Sequence, residues 1–175
     1  NLLLNQLKLD LENNNYENNF NCQNLSHVVA EILYITANAL SSQNIYTFSN
    51  FYLNLSKYLN KDFHSIETLL AENFYKIDNY KQAKKIYGEI EKKGKAFLWY
   101  AAKQKVKIFI NEEKNEKSIK ILKDAYEKLP EKSIYQKFDY ARFLKNNEKF
   151  KNSIKLYTEI LNSINSNHPL YPEVT

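Results

Sequence analysis

The side chains that most often perform chemistry in proteins are few in this sequence and far apart. The three histidines, His27, His64 and His168, have no Cys, His or carboxylate at the spacing of a metal site, which argues against zinc or iron binding. Cys22 is the only cysteine, and although His27 follows five residues later, this Asn-rich stretch offers no third member of a catalytic triad. The residues therefore predict a chain without metal or cofactor.

Phosphate-binding and acid–base motifs are also missing. The two glycines, Gly88 and Gly94, are too few and too far apart to form a Gly-rich phosphate loop. The adjacent carboxylates Glu112 and Glu113 fall at a predicted helix end, where such groups are ordinarily solvated. We therefore expect a binding protein and not an enzyme.

The chain repeats itself at 35-residue spacing. In each repeat a small residue is followed by a larger one, and related positions lie about one helix length upstream. The repeated sets are Ala83, Tyr87 and Ile90; Ser118, Leu122 and Ala125; Ser153, Tyr157 and Ile160; and upstream Ala71 and Phe74, Val106 and Phe109, Ala141 and Leu144. A fainter copy, shifted by 34 residues, contains Ala37 and Leu40, then Ser49, Leu53 and Ser56. Spacings of three and four form one helical stripe, and small residues on it allow close helix approach, which predicts four helical hairpins.

A period near 34 residues, with two helices per unit, resembles the tetratricopeptide repeat family. The matching segments are Leu70-Ala71 with Phe74, then Asn79-Tyr80-Lys81-Gln82-Ala83 with Tyr87; and Tyr140-Ala141 with Leu144, then Lys149-Phe150, Ser153 and Tyr157. The third unit departs at Lys105, where the family prefers Leu, but it closes on Ala125 and Pro130 as the family does. The resemblance implies an all-α fold, a right-handed α-solenoid of about four helix-turn-helix hairpins. The 24 Lys and 24 Asn favour a bacterial source.

The repeat also predicts the organisation along the chain. Residues 1–26 are interpreted as the end of a preceding helix plus an Asn-rich linker, in which Tyr16 and Phe20 would act as anchors. Residues 27–165 form the solenoid, with units of about 30–63, 64–98, 99–133 and 134–167, and residues 166–175 start a following segment. The predicted helices span 27–41, 44–59, 63–77, 80–93, 96–111, 115–128, 132–146 and 149–164. Because the sequence begins with Asn and lacks Met, we expect it to be part of a longer chain.

The last predicted helix bears a row of apolar residues with no capping helix after it. These residues are Ile154, Tyr157, Ile160, Leu161 and Ile164. Open solenoid ends expose apolar surface, so we expect the solenoid either to continue or to self-associate through such an end.

In the resembled family, the first helix of each hairpin lines a concave groove that holds a peptide or a partner's helix. Carrying those positions onto this chain gives an aromatic and basic set: Tyr34, Asn38, Thr68, Glu72, Tyr75, Tyr100, Lys103, Lys107, Phe138, Arg142 and Lys145. Arg142 is the only arginine, and its planar fork suits a carboxylate. The resemblance thus implies a non-catalytic protein–protein interaction scaffold. Binding of chaperone tails is not expected, because Tyr34 replaces the lysine of that clamp.

The net charge of +5 is unevenly distributed. Residues 1–62 hold three Lys and five acidic residues, whereas residues 63–175 hold 22 basic and 15 acidic residues. This favours an acidic partner, although lysines also fill ordinary solvated helix positions. Two alternatives stay open: an appendage of a larger enzyme whose catalytic domain lies elsewhere, and a nucleic-acid-binding repeat, which the single Arg disfavours. No segment approaches the roughly 18 apolar residues of a membrane span, and the cytoplasm is favoured over the periplasm.

Overall fold

The computed structural model describes residues 2–12 and 20–174, which form α-helices joined by short turns and contain no β-strand. The helices are α1 (Leu2–Glu12), α2 (Leu25–Ser42), α3 (Tyr46–Leu59), α4 (Ser65–Lys76), α5 (Tyr80–Ile90), α6 (Lys95–Asn111), α7 (Asn115–Lys128), α8 (Ile134–Asn146), α9 (Phe150–Leu161) and α10 (Tyr171–Val174), with a 3-10 turn at Glu91–Lys93. Each predicted boundary of the eight repeat helices lies within three residues of the observed one. The prediction of an all-α fold is confirmed.

Helices α2 to α9 pack in sequence as four hairpins, each made of an A helix (α2, α4, α6, α8) and a B helix (α3, α5, α7, α9). All four A helices end in the same turn, which contains one residue with positive φ: Asn44 (63°), Asp78 (57°), Glu113 (58°) and Glu148 (59°). The next backbone N–H then bonds to the carbonyl five residues earlier, as from Ile45 to Leu40 at 2.9 Å. This is the Schellman motif, and it satisfies the last carbonyls of each A helix.

The small residues of the predicted stripes hold the two helices of a hairpin together. All of them are buried: Ala37, Ala71, Ala83, Ala141, Ser49, Ser56, Ser118 and Ser153. The Ser49 hydroxyl donates to the Ala37 carbonyl at 2.8 Å, and the Ser153 hydroxyl donates to the Ala141 carbonyl at the same distance. Close helix approach therefore also provides the hydrogen-bond partner that a buried hydroxyl needs.

Successive hairpins stack by placing one B helix against the next A helix. Helix α3 packs on α4 and α5 packs on α6, and one apolar cluster runs from Ala37 through Tyr87 to Ile108. A second cluster, around Trp99 and Leu122, continues into the fourth hairpin, although α7 meets α8 over a smaller area. The core thus extends along the stack without a single centre, which is the arrangement of an α-solenoid.

The C-terminal end of the stack is partly covered by the residues that follow α9, which the sequence did not predict. Leu170 and Val174 pack against Tyr157 and Ile160 of α9. The chain reverses at residues 165–168, where the His168 N–H bonds to the Asn165 carbonyl, and this turn returns the following apolar residues to α9. Of the apolar residues expected at this end, Ile154 remains strongly exposed, at 63%.

Helix α1 docks beside the start of α6. The buried Gln6 side chain accepts a hydrogen bond from the Ala96 N–H at 3.0 Å. Gly94, with φ of 149°, adopts a backbone conformation that favours glycine, and a Cβ there would overlap the Gln6 amide. The first described residues are therefore fitted to the boundary between the second and third hairpins.

The predicted anchor Tyr16 lies outside the described residues. Phe20, the other predicted anchor, is 41% exposed, and its ring centroid lies 6.4 Å from that of His27. None of the helices in the described part of the chain combines the length and hydrophobicity that a membrane crossing requires.

Candidate partner-binding surface

The four A helices lie side by side, and polar side chains bridge neighbouring members. Between α2 and α4, the Ser41 hydroxyl donates to Asn73 Oδ1 at 2.6 Å. Between α4 and α6, the Tyr100 hydroxyl donates to Glu72 Oε1 at 2.5 Å. Between α6 and α8, Lys103 Nζ lies 2.6 Å from Asp139 Oδ2. We call the continuous surface of these helices the A-helix surface. The eleven residues that the sequence assigned to partner binding all lie on these four helices.

Asn73 is the centre of the first bridge. It is almost fully buried, and its amide also donates to Ser49 Oγ and to Asn50 Oδ1, each at 2.8 Å. Both donors and the acceptor of this amide are thus used, which makes its burial tolerable. Asn73 therefore ties the second A helix to both helices of the first hairpin.

Tyr100 and Glu72 of the predicted set are engaged with each other. The Tyr100 ring also meets the buried Tyr87 ring edge-on, with centroids 6.1 Å apart. Burial, followed by the hydrogen bond to Glu72, raises the pKa of Tyr100 well above its ordinary value. The phenol therefore stays protonated at physiological pH and acts as a fixed donor to Glu72.

Tyr75 and Tyr34 form the more open aromatic part of the A-helix surface. Both are half-buried. The Tyr75 hydroxyl accepts a bond from Asn111 Nδ2 at 3.2 Å, while the Tyr34 ring centroid lies 4.9 Å from that of Phe63. These contacts hold each ring in place on the A-helix surface.

Thr68, Asn38 and Phe138 complete the uncharged members. The Thr68 hydroxyl donates within its own helix, to the Ser65 carbonyl at 2.8 Å, and Asn38 is exposed. Phe138 is only 7% exposed and packs against Tyr157 in the core of the fourth hairpin. Its side chain supports α8 from inside and is not available to a partner.

The four cations of the predicted set divide into one paired and three unpaired residues. Lys103 is neutralised by Asp139, whereas Lys107, Arg142 and Lys145 are exposed and form no ion pair with any described residue. Lys107 follows Lys103 by about one turn on α6, and Arg142 follows Asp139 by about one turn on α8. Lys107 and Arg142 thus each lie about one turn beyond the Lys103–Asp139 bridge, each on its own helix. We call Lys107, Arg142 and Lys145 the basic patch.

A charge cluster that was not predicted from the sequence joins the first two hairpins. Glu67 of α4 is 5% exposed, lies 2.9 Å from Lys57 Nζ and also pairs with Lys93. Lys93 in turn lies 2.9 Å from His64 Nδ1. Burial alone would raise the pKa of Glu67, but the two lysines outweigh it and hold that pKa below its usual value. The sequence does contain a sign of this cluster. Glu67 occupies a repeat position that is Leu33 in the preceding unit and Ala102 in the following one.

A cleft of about 420 Å³ opens where α7 meets the fourth hairpin. Its aromatic wall is the stacked pair Tyr126 and Tyr140, with ring centroids 4.3 Å apart, and Lys132 Nζ lies 5.3 Å from the Tyr126 ring. Burial is the main cause that raises the pKa of Tyr126 to about 12. The cleft exists because α7 and α8 contact each other over a smaller area than the helices that join the other hairpins. Among the described residues, no group of His, Cys, Asp or Glu is arranged to hold a metal ion.

No family model matches the chain, and a search of curated proteins finds no match. Among solved structures, the chain is similar to "Crystal structure of YrrB: a TPR protein with an unusual peptide-binding site". The two share 16% sequence identity with a TM-score of 0.48, over 73% of this chain. The matched region spans 65% of the YrrB chain, just under two thirds of its length.

Proposed function

We propose that this chain is a non-catalytic interaction scaffold that holds an acidic peptide or partner segment on the A-helix surface, in the concave groove of the solenoid. The observation that carries this proposal is the basic patch: three exposed cations on α6 and α8 without an anionic partner among the described residues. An extended segment bearing carboxylates would supply that partner, and Arg142 suits a bidentate contact.

The remaining predicted positions would support binding by holding the surface rigid. Tyr100 is fixed to Glu72 and Lys103 is fixed to Asp139 before any partner arrives. Side chains that are already ordered lose little conformational entropy on binding. The half-buried rings of Tyr34 and Tyr75 would then contribute apolar contact next to the charged contacts. Micromolar affinity, about −8 kcal/mol, is expected for such a groove.

The proposal assigns no reaction to these residues. The buried carboxylate of Glu67 is neutralised by two lysines, so its environment stabilises the charge and does not prepare an acid or base for catalysis. A bacterial source, favoured by the Lys- and Asn-rich composition, stays a prediction.

The test is binding of a fluorescent peptide rich in Glu and aromatic residues, followed by anisotropy at about 0.15 M salt. The same peptide with Gln in place of Glu measures the role of the carboxylates. We expect the double variant Lys107→Glu, Arg142→Glu to weaken binding by at least about tenfold, which corresponds to 1.4 kcal/mol.

The matched control is Lys120→Glu, Lys151→Glu, which makes the same charge change at two exposed B-helix positions. Equal weakening by both double variants would refute the patch as the site, because net charge alone would explain the result. Tighter binding of a single-stranded RNA with a steep salt dependence would instead favour the nucleic-acid alternative.

A further inference from the structure

The first hairpin exposes more apolar surface than a solvated hairpin needs. On α2, Ile32 and Ile35 are 57% and 61% exposed. On α3, the exposed apolar residues are Phe48, Phe51, Leu55 and Tyr58. Their spacing of three and four residues forms one stripe along α3. We call these six residues the first-hairpin face.

The internal repeat shows that the α3 stripe is not a requirement of the fold. The equivalent positions, shifted by the repeat length, are Gln82, Lys85, Glu89 and Lys92 in the second hairpin and Lys117, Lys120, Asp124 and Glu127 in the third. All eight of those side chains are exposed. A B helix of this solenoid is thus stable with a polar outer stripe, and the first hairpin departs from that pattern at four positions in succession.

The α2 part of the face differs from the α3 stripe, because its equivalent positions in the second hairpin are apolar and buried. Ile66 and Leu69, the equivalents of Ile32 and Ile35 in α4, are buried in the second hairpin, where α3 packs against α4. Ile32 and Ile35 therefore occupy the register that a B helix covers elsewhere in the stack. Within residues 2–12 and 20–174, no B helix covers this apolar A-helix surface and no element covers the apolar stripe of α3.

We propose that a second copy of this chain covers this face, with the α3 stripe of each copy packed on the α2 surface of the other. A two-fold arrangement satisfies both parts at once, because each copy supplies one surface of each kind. It places a B helix on an A helix, as in the stack of hairpins within one chain, but through the outer stripe of α3 instead of the B-helix side that is buried within the stack. Association through this face is independent of the A-helix surface proposed for partner binding.

Charge and area agree with a second copy as the occupant. Helices α2 and α3 contain one acidic residue, Glu31, and one basic residue, Lys57, which is already paired with Glu67. Two copies of this hairpin therefore do not repel each other, unlike the Lys-rich remainder. If a fully exposed large side chain presents about 200 Å², the six residues offer roughly 700 Å² per copy, close to the roughly 800 Å² that each partner contributes to a stable interface.

The internal repeat also supplies the test variant. Phe51→Lys with Leu55→Glu installs the residues found at the equivalent positions of α5, Lys85 and Glu89, and leaves the net charge unchanged. The matched control is Phe150→Lys with Ile154→Glu, which makes the same kind of change at the same spacing on α9, where both residues are exposed. Molar mass is measured by light scattering and sedimentation velocity at about 1 to 100 µM protein.

We expect a wild-type dimer, an unchanged dimer in the α9 control, and a dissociation constant at least about tenfold higher in the α3 variant. A wild-type chain that stays monomeric at about 100 µM, or equal dissociation in both variants, would overturn the proposal. Circular dichroism checks that the variants remain helical. If the double variant fails to fold, Tyr58→Lys repeats the test at the most exposed position of the stripe, 81% exposed. Salt separates the two proposals, because it should weaken acidic-peptide binding but not this apolar association.

Discussion

The turns that end the A helices allow a sharp stability prediction at Glu113. This residue adopts φ of 58°, in the left-handed region where a Cβ is unfavourable, and its exposed side chain forms no hydrogen bond or ion pair with a described residue. Glu113→Gly therefore removes backbone strain without removing a contact. We expect the variant to be more stable than the wild type.

The size of the effect follows from three terms. A non-glycine residue in this conformation costs roughly 1 to 2 kcal/mol in the folded state. Glycine gives back about 0.4 to 1 kcal/mol through the greater freedom of the unfolded chain. Removal of a negative charge at a helix C-terminus adds about 0.3 kcal/mol or more. The expected net gain is about 1 kcal/mol, or about 2 to 4 °C in Tm for a chain of this size.

Urea unfolding monitored by circular dichroism measures this gain as a higher midpoint at an unchanged slope. Glu113→Gln is the matched control, because it removes the charge but keeps the Cβ, so the difference between the two variants isolates the backbone strain. Asp78→Gly should gain less, since the Asp78 carboxylate accepts a bond from the Tyr80 hydroxyl at 2.7 Å. A lower midpoint for Glu113→Gly, or an equal gain in Glu113→Gln, would refute the reasoning.

Three further predictions concern buried polar groups and the docking of α1. Glu67→Gln should lower the free energy of unfolding by about 1 to 3 kcal/mol at pH 7, because Lys57 and Lys93 are partly exposed, which reduces the cost of breaking a buried pair. The lowered pKa of Glu67 contributes stability that is complete above the usual carboxyl pKa of about 4.3 and is lost as pH falls through the lower folded-state value. When the pH is lowered from about 7 to 2.5, the urea midpoint should therefore fall less in the variant than in the wild type. Asn73→Ala should lower the free energy of unfolding by about 2 kcal/mol or more in the same urea assay, since Ser41 and Ser49 lose their hydrogen bonds to the buried Asn73 amide. A change below about 0.5 kcal/mol would contradict the role of Asn73 in joining α4 to the first hairpin. Gly94→Ala should release α1, seen as faster amide exchange in residues 2–12, and should also lower the midpoint, because φ of 149° strains a residue that carries a Cβ; unchanged exchange would argue against the close fit to Gln6.

The fold was predictable because its main determinant is local and repeated. The small residues at 83, 118 and 153 and at 71 and 141 recur at the spacing of a packed helix stripe, and each of them is buried. The turns were also placed correctly, but their common backbone conformation was not anticipated. Two of the four positive-φ residues are glutamates, which do not favour that conformation by themselves, so tertiary packing of the hairpin imposes it.

The candidate site was less predictable, because the role of a surface side chain depends on its neighbour across the helix pair. Lys103 and Lys107 look equivalent in the sequence, yet Asp139 neutralises the first and no described anion reaches the second. Phe138 was placed in the groove by the family register but turns into the core of its hairpin. The partners of these residues lie 19 to 36 positions away, beyond what a local pattern encodes. Partner binding by the other ten residues stays a prediction.

The same register comparison separates two surfaces of different chemistry. Positions that are apolar on α3 become Lys and Glu on α5, so the repeat keeps one backbone while changing what it presents to solvent. The first hairpin carries the apolar face and almost no charge, whereas the basic patch lies on α6 and α8. A dimer formed through the first hairpin would therefore leave both basic patches accessible. Two linked patches would raise the apparent affinity for a partner with two acidic segments through effective concentration alone. The Phe51→Lys, Leu55→Glu variant should then bind a single acidic peptide as wild type does but lose the extra affinity for a tandem peptide. Equal affinity of wild type and variant for the tandem peptide would show that the two surfaces act separately.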